Sequence, residues 1–146
     1  MLPRFARGKF YPKNQEKYVG LKTPTYRSSW EQAFMRLCDE HPNVYKWASE
    51  SIKIPYRHPM TGKYTVYVPE FFVVYNDKNS KKHAELIEVK PASQTTMEMA
   101  GKSMAKKKQV IVNMAKWEAA NAYAKQNKLR FRVVSEEQLF HNGKRK

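Results

Sequence analysis

The chain has 146 residues, enough for one hydrophobic core and too few for two comfortable domains. Its 28 Lys plus Arg stand against 13 Asp plus Glu, a net charge of +15 that suits a binder of polyanions. A hydrophobic share of 41% excludes wholesale disorder, no apolar run approaches the ~20 residues of a membrane span, and the single Cys38 excludes an intrachain disulfide or a Cys-rich zinc site.

The N-terminal stretch lacks the apolar middle of a signal peptide, so the chain is expected to stay in the cytoplasm without membrane contact. His41, His58, His83 and His141 are too scattered for a local metal motif. The charge is sorted: residues 1–27 carry +6, residues 28–100 sum to zero, residues 101–130 carry +7, and the tail 141–146 carries +3. Solubility alone gives no reason for that sorting.

Residues 1–27 mix bases with Phe5, Phe10, Tyr11, Tyr18 and Tyr26, contain three prolines and show no period, so they predict an extended basic arm. Its rings either stack on exposed bases between phosphate contacts or pin the arm to the domain's own core. On the first alternative, removing residues 1–22 should leave the domain folded. Next, a Ser cap followed by Glu31 and the stripe Trp30, Phe34, Leu37 predicts a helix over 29–39, stopped before Pro42.

Residues 44–54 and 63–75 are β-branched and aromatic, and the Pro59 to Gly62 interruption suits a hairpin turn, so two antiparallel strands are expected. A polar turn leads to a third strand over 83–90, closing a meander. After a loop, residues 103–128 are rich in Ala and Lys and free of Pro and Gly, which predicts a helix with Val110, Met114, Trp117 and Tyr123 or Ala124 on its apolar face. Residues 129–134 form a last strand and 135–140 a short capped helix. The order α-β-β-β-α-β describes an α/β domain, a mixed sheet flanked by helices, spanning 28–140.

The chemistry-bearing candidates are Glu31, Glu70, Glu88 and Lys90. Side chains alternate along a strand, so Glu88 and Lys90 share a face and set a carboxylate beside an ammonium. Glu70 follows Pro69 among Val68, Phe71, Phe72 and Val73, an expensive setting for a carboxylate without a partner or a cation. Antiparallel pairing would bring it near Glu88, and two acids sharing a site repel unless a divalent ion joins them. Mg²⁺ or Mn²⁺ suits such a pair because it leaves positions for water and phosphate oxygens, while Lys90 holds the attacking water or offsets charge at phosphorus. Arg4, Arg7, Lys9, Lys102, Lys106, Lys107 and Lys108 are the candidates for the phosphate backbone of DNA.

Trp-Glu on the first helix, Pro-Glu-Phe-Phe on a strand and Ile-Glu-Val-Lys on the next resemble the PD-(D/E)XK nuclease superfamily, whose restriction-endonuclease-like core runs α-β-β-β-α-β. The stretches MLPRFARGKFYPKN, YRSSWE, KIPY and IEVKPASQTTME are more closely similar to the head completion nucleases of T-even-like tailed phages, kin of the TnsA-type transposon endonucleases. The resemblance implies Mg²⁺-dependent endonuclease chemistry on DNA with little sequence preference. It also implies a role in finishing DNA-filled heads, phage head or neck proteins as partners, a host-cytoplasmic or virion-associated location, and room for a homodimer that cuts both strands. Carried over, the metal-binding acids fall on Glu70 and Glu88, the catalytic lysine on Lys90, the helix-borne acid on Glu31 and a supporting polar residue on Gln109. The superfamily usually has Asp after Pro, so Glu70 is one methylene longer and leaves open a non-catalytic, DNA-binding virion protein on the same fold.

Overall fold

The computed structural model describes residues 7–135. Arg4, residues 136–140 of the expected short helix, the tail 141–146 and His141 lie outside the described residues, while Ser135, expected to open that helix, ends a strand instead. In chain order the elements are β1 Gly8–Lys9, β2 Thr25–Tyr26, α1 Ser29–Glu40, β3 Val44–Ser49, β4 Ile54–Arg57, β5 Tyr64–Tyr67, β6 Phe71–Asn76, β7 Lys82–Lys90, α2 Met97–Ala100, α3 Met104–Gln126 and β8 Arg130–Ser135.

The main sheet has the order β3-β6-β7-β8. β3, β6 and β7 run antiparallel, and β8 joins β7 in parallel, the pairing that a helical crossover such as α3 permits. The expected α-β-β-β-α-β order is thus α1, β3, β6, β7, α3, β8. One sheet face, with Trp47, Phe71, Val73, Ile87, Val89 and Val134, packs on Phe34, Met35 and Cys38 of α1. The opposite face, through Leu86, packs with Ala120 of α3. Period two along β7 therefore sends Ile87 and Val89 to one side and Glu88 and Lys90 to the other.

Two expectations are corrected. The stretches read as two continuous strands are four, because β4 and β5 leave the sheet as a separate antiparallel hairpin between β3 and β6. β3 ends where Glu50 turns to a φ of 50°, and Pro69, which has no amide hydrogen for a ladder, separates β5 from β6. The meander survives only at the turn from β6 to β7. In α3 the buried line is Val110, Asn113, Ala120 and Ala124, whereas Met114 is 56% exposed. Polar Asn113 takes the core position because its amide donates to the Gln94 carbonyl (3.0 Å) and its Oδ1 accepts from Gln109 (2.9 Å).

The arm segment 7–27 lies on the domain, and Phe10, Tyr18 and Tyr26 pack against its core, whereas Tyr11 is 74% exposed. Tyr18 and Phe10 meet Trp47 edge to face, at centroid distances of 4.7 and 5.9 Å. Buried Asp39 accepts the backbone N–H groups of Lys13 and Asn14 at 3.0 Å each, and Lys17 Nζ donates to the carbonyls of Asp39 and His41 at 2.9 Å. Deleting residues 1–22 should therefore strip Trp47 of two rings and leave the Asp39 carboxylate without partners, at a cost of about 3 kcal/mol or more. A melt of the truncated chain should fall by about 10 °C. An unchanged Tm would return this segment to the status of a free arm.

Candidate active site

β6 and β7 pair with Phe71 opposite Ile87, so the residues one step further out, Glu70 and Glu88, come together at the end of the ladder between the two central strands. The Glu70 N–H donates to Glu88 Oε1 at 3.1 Å. Glu88 is 4% exposed, and Lys90 Nζ lies 3.5 Å from its Oε2. Glu70 Oε2 is buried and accepts no hydrogen bond. The Glu50 N–H donates to the Glu70 carbonyl at 2.8 Å, so the left-handed turn at Glu50 clamps the backbone that presents this carboxylate.

The electrostatics follow from that geometry. Burial, then repulsion by Glu88 and Glu31, pushes the Glu70 carboxyl up to about 9, against the opposing pull of Lys90 and the Val89 N–H. Burial also raises Glu88, opposed first by Lys90 and then by the Glu70 N–H. In metal-free protein near neutral pH, Glu70 therefore carries a proton that a cation would displace.

Glu31, in the first turn of α1, has a structural task as well. Its backbone N–H donates to Ser28 Oγ at 3.1 Å, and its Oε1 accepts from the Arg27 N–H at 3.1 Å, so it closes the cap of the helix. Its carboxyl is raised chiefly by burial. Arg27, close enough to feel Glu31 and Glu70, is held 2.6 Å from Glu50 Oε1.

A model of the TnsA-like endonuclease N-terminal domain matches residues 41–136. The chain belongs to the TnsA-like endonuclease family. It is also 34% identical over 142 residues to the head completion nuclease of Enterobacteria phage T4, across 90% of this chain and 92% of that protein. The mixed sheet flanked by helices is thus a restriction-endonuclease-like fold, and of the residues that the superfamily resemblance singled out, Glu70, Glu88 and Lys90 lie together near the end of β7.

Three further residues line this endonuclease-like centre, and the sequence reading did not place them there. Tyr67, at the foot of β5, is 4% exposed, and its hydroxyl is pushed up first by burial and then by the charge of Glu88. Trp117 of α3 stands beside it, and the buried Tyr67 Oη lies between Trp117 and the Glu88 carboxylate, close enough to interact with both. Lys116 Nζ lies 5.7 Å from the Tyr67 ring centroid, and burial followed by repulsion from Lys90 lowers its pKa. No local signal marks them, because they reach Glu88 from the inserted hairpin and from one turn of a lysine-rich helix. Gln109 does not enter the group around Glu88. It bonds Asn113, which in turn holds the turn after Lys90.

Among the basic candidates, Arg7, Lys9, Lys102, Lys106 and Lys108 are exposed and Lys107 is half-buried. Ser103 caps α3 by accepting the Lys106 N–H at 3.2 Å, so Lys106, Lys107 and Lys108 form the first turns of that helix. No helix among the described residues is long and apolar enough to cross a membrane.

Proposed function

We propose that this chain is a metal-dependent endonuclease that hydrolyses DNA phosphodiester bonds with little sequence preference and acts in completing DNA-filled phage heads. The observation that carries the reading is the buried Glu88 beside the half-buried Glu70, with Lys90 at 3.5 Å from Glu88 and the buried Oε2 of Glu70 unpartnered. Such a pair fits a hard divalent cation, which takes oxygen ligands and offsets the burial and the repulsion that together keep Glu70 protonated. Glu70 and Glu88 would hold Mg²⁺ or Mn²⁺, which when bound supplies Lewis acidity and a water of lowered pKa.

The chain's own residues do the rest. Lys90 sits beside the carboxylates and offsets negative charge that develops at phosphorus. Tyr67 and Trp117 wall the centre on the α3 side, and the hydroxyl of Tyr67 stays a donor at every working pH. Glu31 acts on Glu70 from α1 through its charge. The exposed or half-exposed cations Lys102, Lys106, Lys107, Lys108, Arg7 and Lys9, with Arg4 from the sequence, would contact the DNA backbone. The place in head completion rests on the similarity to the phage T4 protein of that name. Phage head or neck proteins would then be its partners, the virion a second location besides the host cytoplasm, and a homodimer the simplest way to cut both strands.

One observation favours a second reading, a non-catalytic DNA-binding virion protein: Pro69 is followed by Glu, where the superfamily usually has Asp. Incubation of supercoiled plasmid with the pure protein decides between them. Nicked and linear DNA should accumulate with Mg²⁺ or Mn²⁺ and not with EDTA, and intact plasmid under all three conditions would establish the second reading.

A further inference from the structure

The hairpin β4–β5 is the feature that the catalytic reading leaves unused. Its inner face is spent on the core: Ile54, Tyr56 and Tyr67 pack with Leu86 and Ala120. The outer face is not covered by any described residue. Tyr64 is 79% exposed, Val66 52% and Met60, in the turn, 48%. Lys53, Arg57 and Lys63 are exposed around them, and residues 51–69 contain no Asp or Glu. The ribbon is therefore a purely cationic surface with apolar side chains between its charges. The flanking acids, Glu50 and Glu70, both belong to the site at its foot.

The ribbon is also built to hold its shape. Four residue pairs register from Ile54 opposite Tyr67 to Arg57 opposite Tyr64. The turn is closed by His58 N–H to the Lys63 carbonyl and Gly62 N–H to the His58 carbonyl, both 2.8 Å, and by Arg57 Nε to the Gly62 carbonyl at 2.9 Å. Gly62 has a φ of 71°, which glycine adopts without strain. A protruding aromatic on such a ribbon costs little further ordering when it binds.

The geometry points to this hairpin as a second DNA contact, a two-stranded ribbon that enters a groove of the duplex and sets its position relative to the scissile bond. This deepens the endonuclease reading and rests on it for the identity of the ligand. A two-stranded ribbon fits the width of the major groove. Charge selects the partner: three exposed cations without an acid match phosphates, while Tyr64 and Val66 suit sugar and base edges. From Tyr67 beside Glu88 to Tyr64 is three strand steps, about 10 Å, or about three base-pair steps along the helix axis. The ribbon would thus grip phosphates other than the one being cut.

The test uses the full chain and a fluorescent duplex of about 20 base pairs in EDTA, so that no cutting occurs. Among the described residues the Lys53 and Lys63 side chains make no hydrogen bond, so Lys53→Ala/Lys63→Ala should fold and melt like the parent. Its affinity should fall about tenfold at moderate salt, and the slope of log affinity against log salt should become shallower by about two, one unit for each phosphate released. Tyr64→Ala should weaken binding about tenfold with the slope unchanged, because it removes contact and no charge.

Parental slopes and affinities in both variants would overturn the proposal and assign this face to a protein partner. If in addition the parent cuts plasmid with Mg²⁺, only the hairpin proposal has failed. If the parent never cuts while the slope shallows as expected, the endonuclease reading has failed and the ribbon stands as a DNA contact.

Discussion

Lys90→Ala should reduce plasmid cleavage by about 10³-fold or more while changing duplex affinity less than about threefold. The loss follows from position: Lys90 is the cation 3.5 Å from Glu88, beside the carboxylates that would hold the metal and so beside the phosphate that the metal would bind. A charged donor aimed at developing charge in a water-poor site is worth about two to three powers of ten. The affinity survives because 27 other bases remain to neutralise the backbone. Lys116 is the one described cation that could take over, since its pKa already responds to both Lys90 and Glu88. If Lys90→Ala keeps more than about a tenth of the rate, adding Lys116→Ala should remove it. A double variant that still cuts would take the lysines out of the chemistry. Glu88→Gln should match the Lys90→Ala loss, because Glu88 holds both the Glu70 backbone and Lys90.

The legible and illegible parts of this site differ in how far apart their determinants lie along the chain. Glu88 and Lys90 are two residues apart on one strand, and strand period alone puts them on one face. Glu31 is fixed by a cap that spans only Arg27 to Glu31. Glu70 could be paired with Glu88 because a single polar turn joins β6 to β7. Tyr67, Lys116 and Trp117 depend instead on how a hairpin packs across α3, a contact between residues some 50 positions apart for which residue type gives no cue. The hairpin itself was hidden because β-branched and aromatic residues continue through 44–54 and 63–75. The break comes from a left-handed Glu50 and from Pro69, neither of which outweighs that composition locally.

The same reasoning accounts for the arm and for α3. An aromatic among lysines and prolines looks alike whether it awaits a base or covers a tryptophan, and only the position of Trp47 decides for Phe10 and Tyr18. In α3, hydrophobicity favours Met114 over Asn113 for the buried line. The loop after Lys90 reverses the choice, because its Gln94 carbonyl needs a donor inside the fold.

Glu70 should make the metal-free protein lose stability as pH rises, and the metal should cancel that loss. Its folded-state carboxyl is pushed up to about 9, mainly by burial and then by Glu88, whereas in the unfolded chain it titrates near the ordinary 4.5. A raised acid holds its proton in the native state and gives it up on unfolding. Its stabilising effect is complete below pH ~4.5 and is lost progressively up to pH ~9, at about 1.4 kcal/mol per pH unit. Between pH 6 and pH 8 in EDTA the parent should therefore lose about 3 kcal/mol relative to Glu70→Gln, which cannot ionise and should be the more stable protein at pH 8. Mg²⁺ should raise the Tm of the parent at pH 8 and leave Glu70→Gln nearly unmoved, because the cation replaces the proton only where a carboxylate can form. Cleavage should follow the same division: Glu70→Asp keeps a charged ligand and the superfamily's usual length, so it retains or gains activity, whereas Glu70→Gln falls by about 10³-fold. If Glu70→Gln cuts like the parent at saturating Mg²⁺ while the pH-dependent destabilisation is still removed, Glu70 is a buried acid with no part in holding the metal.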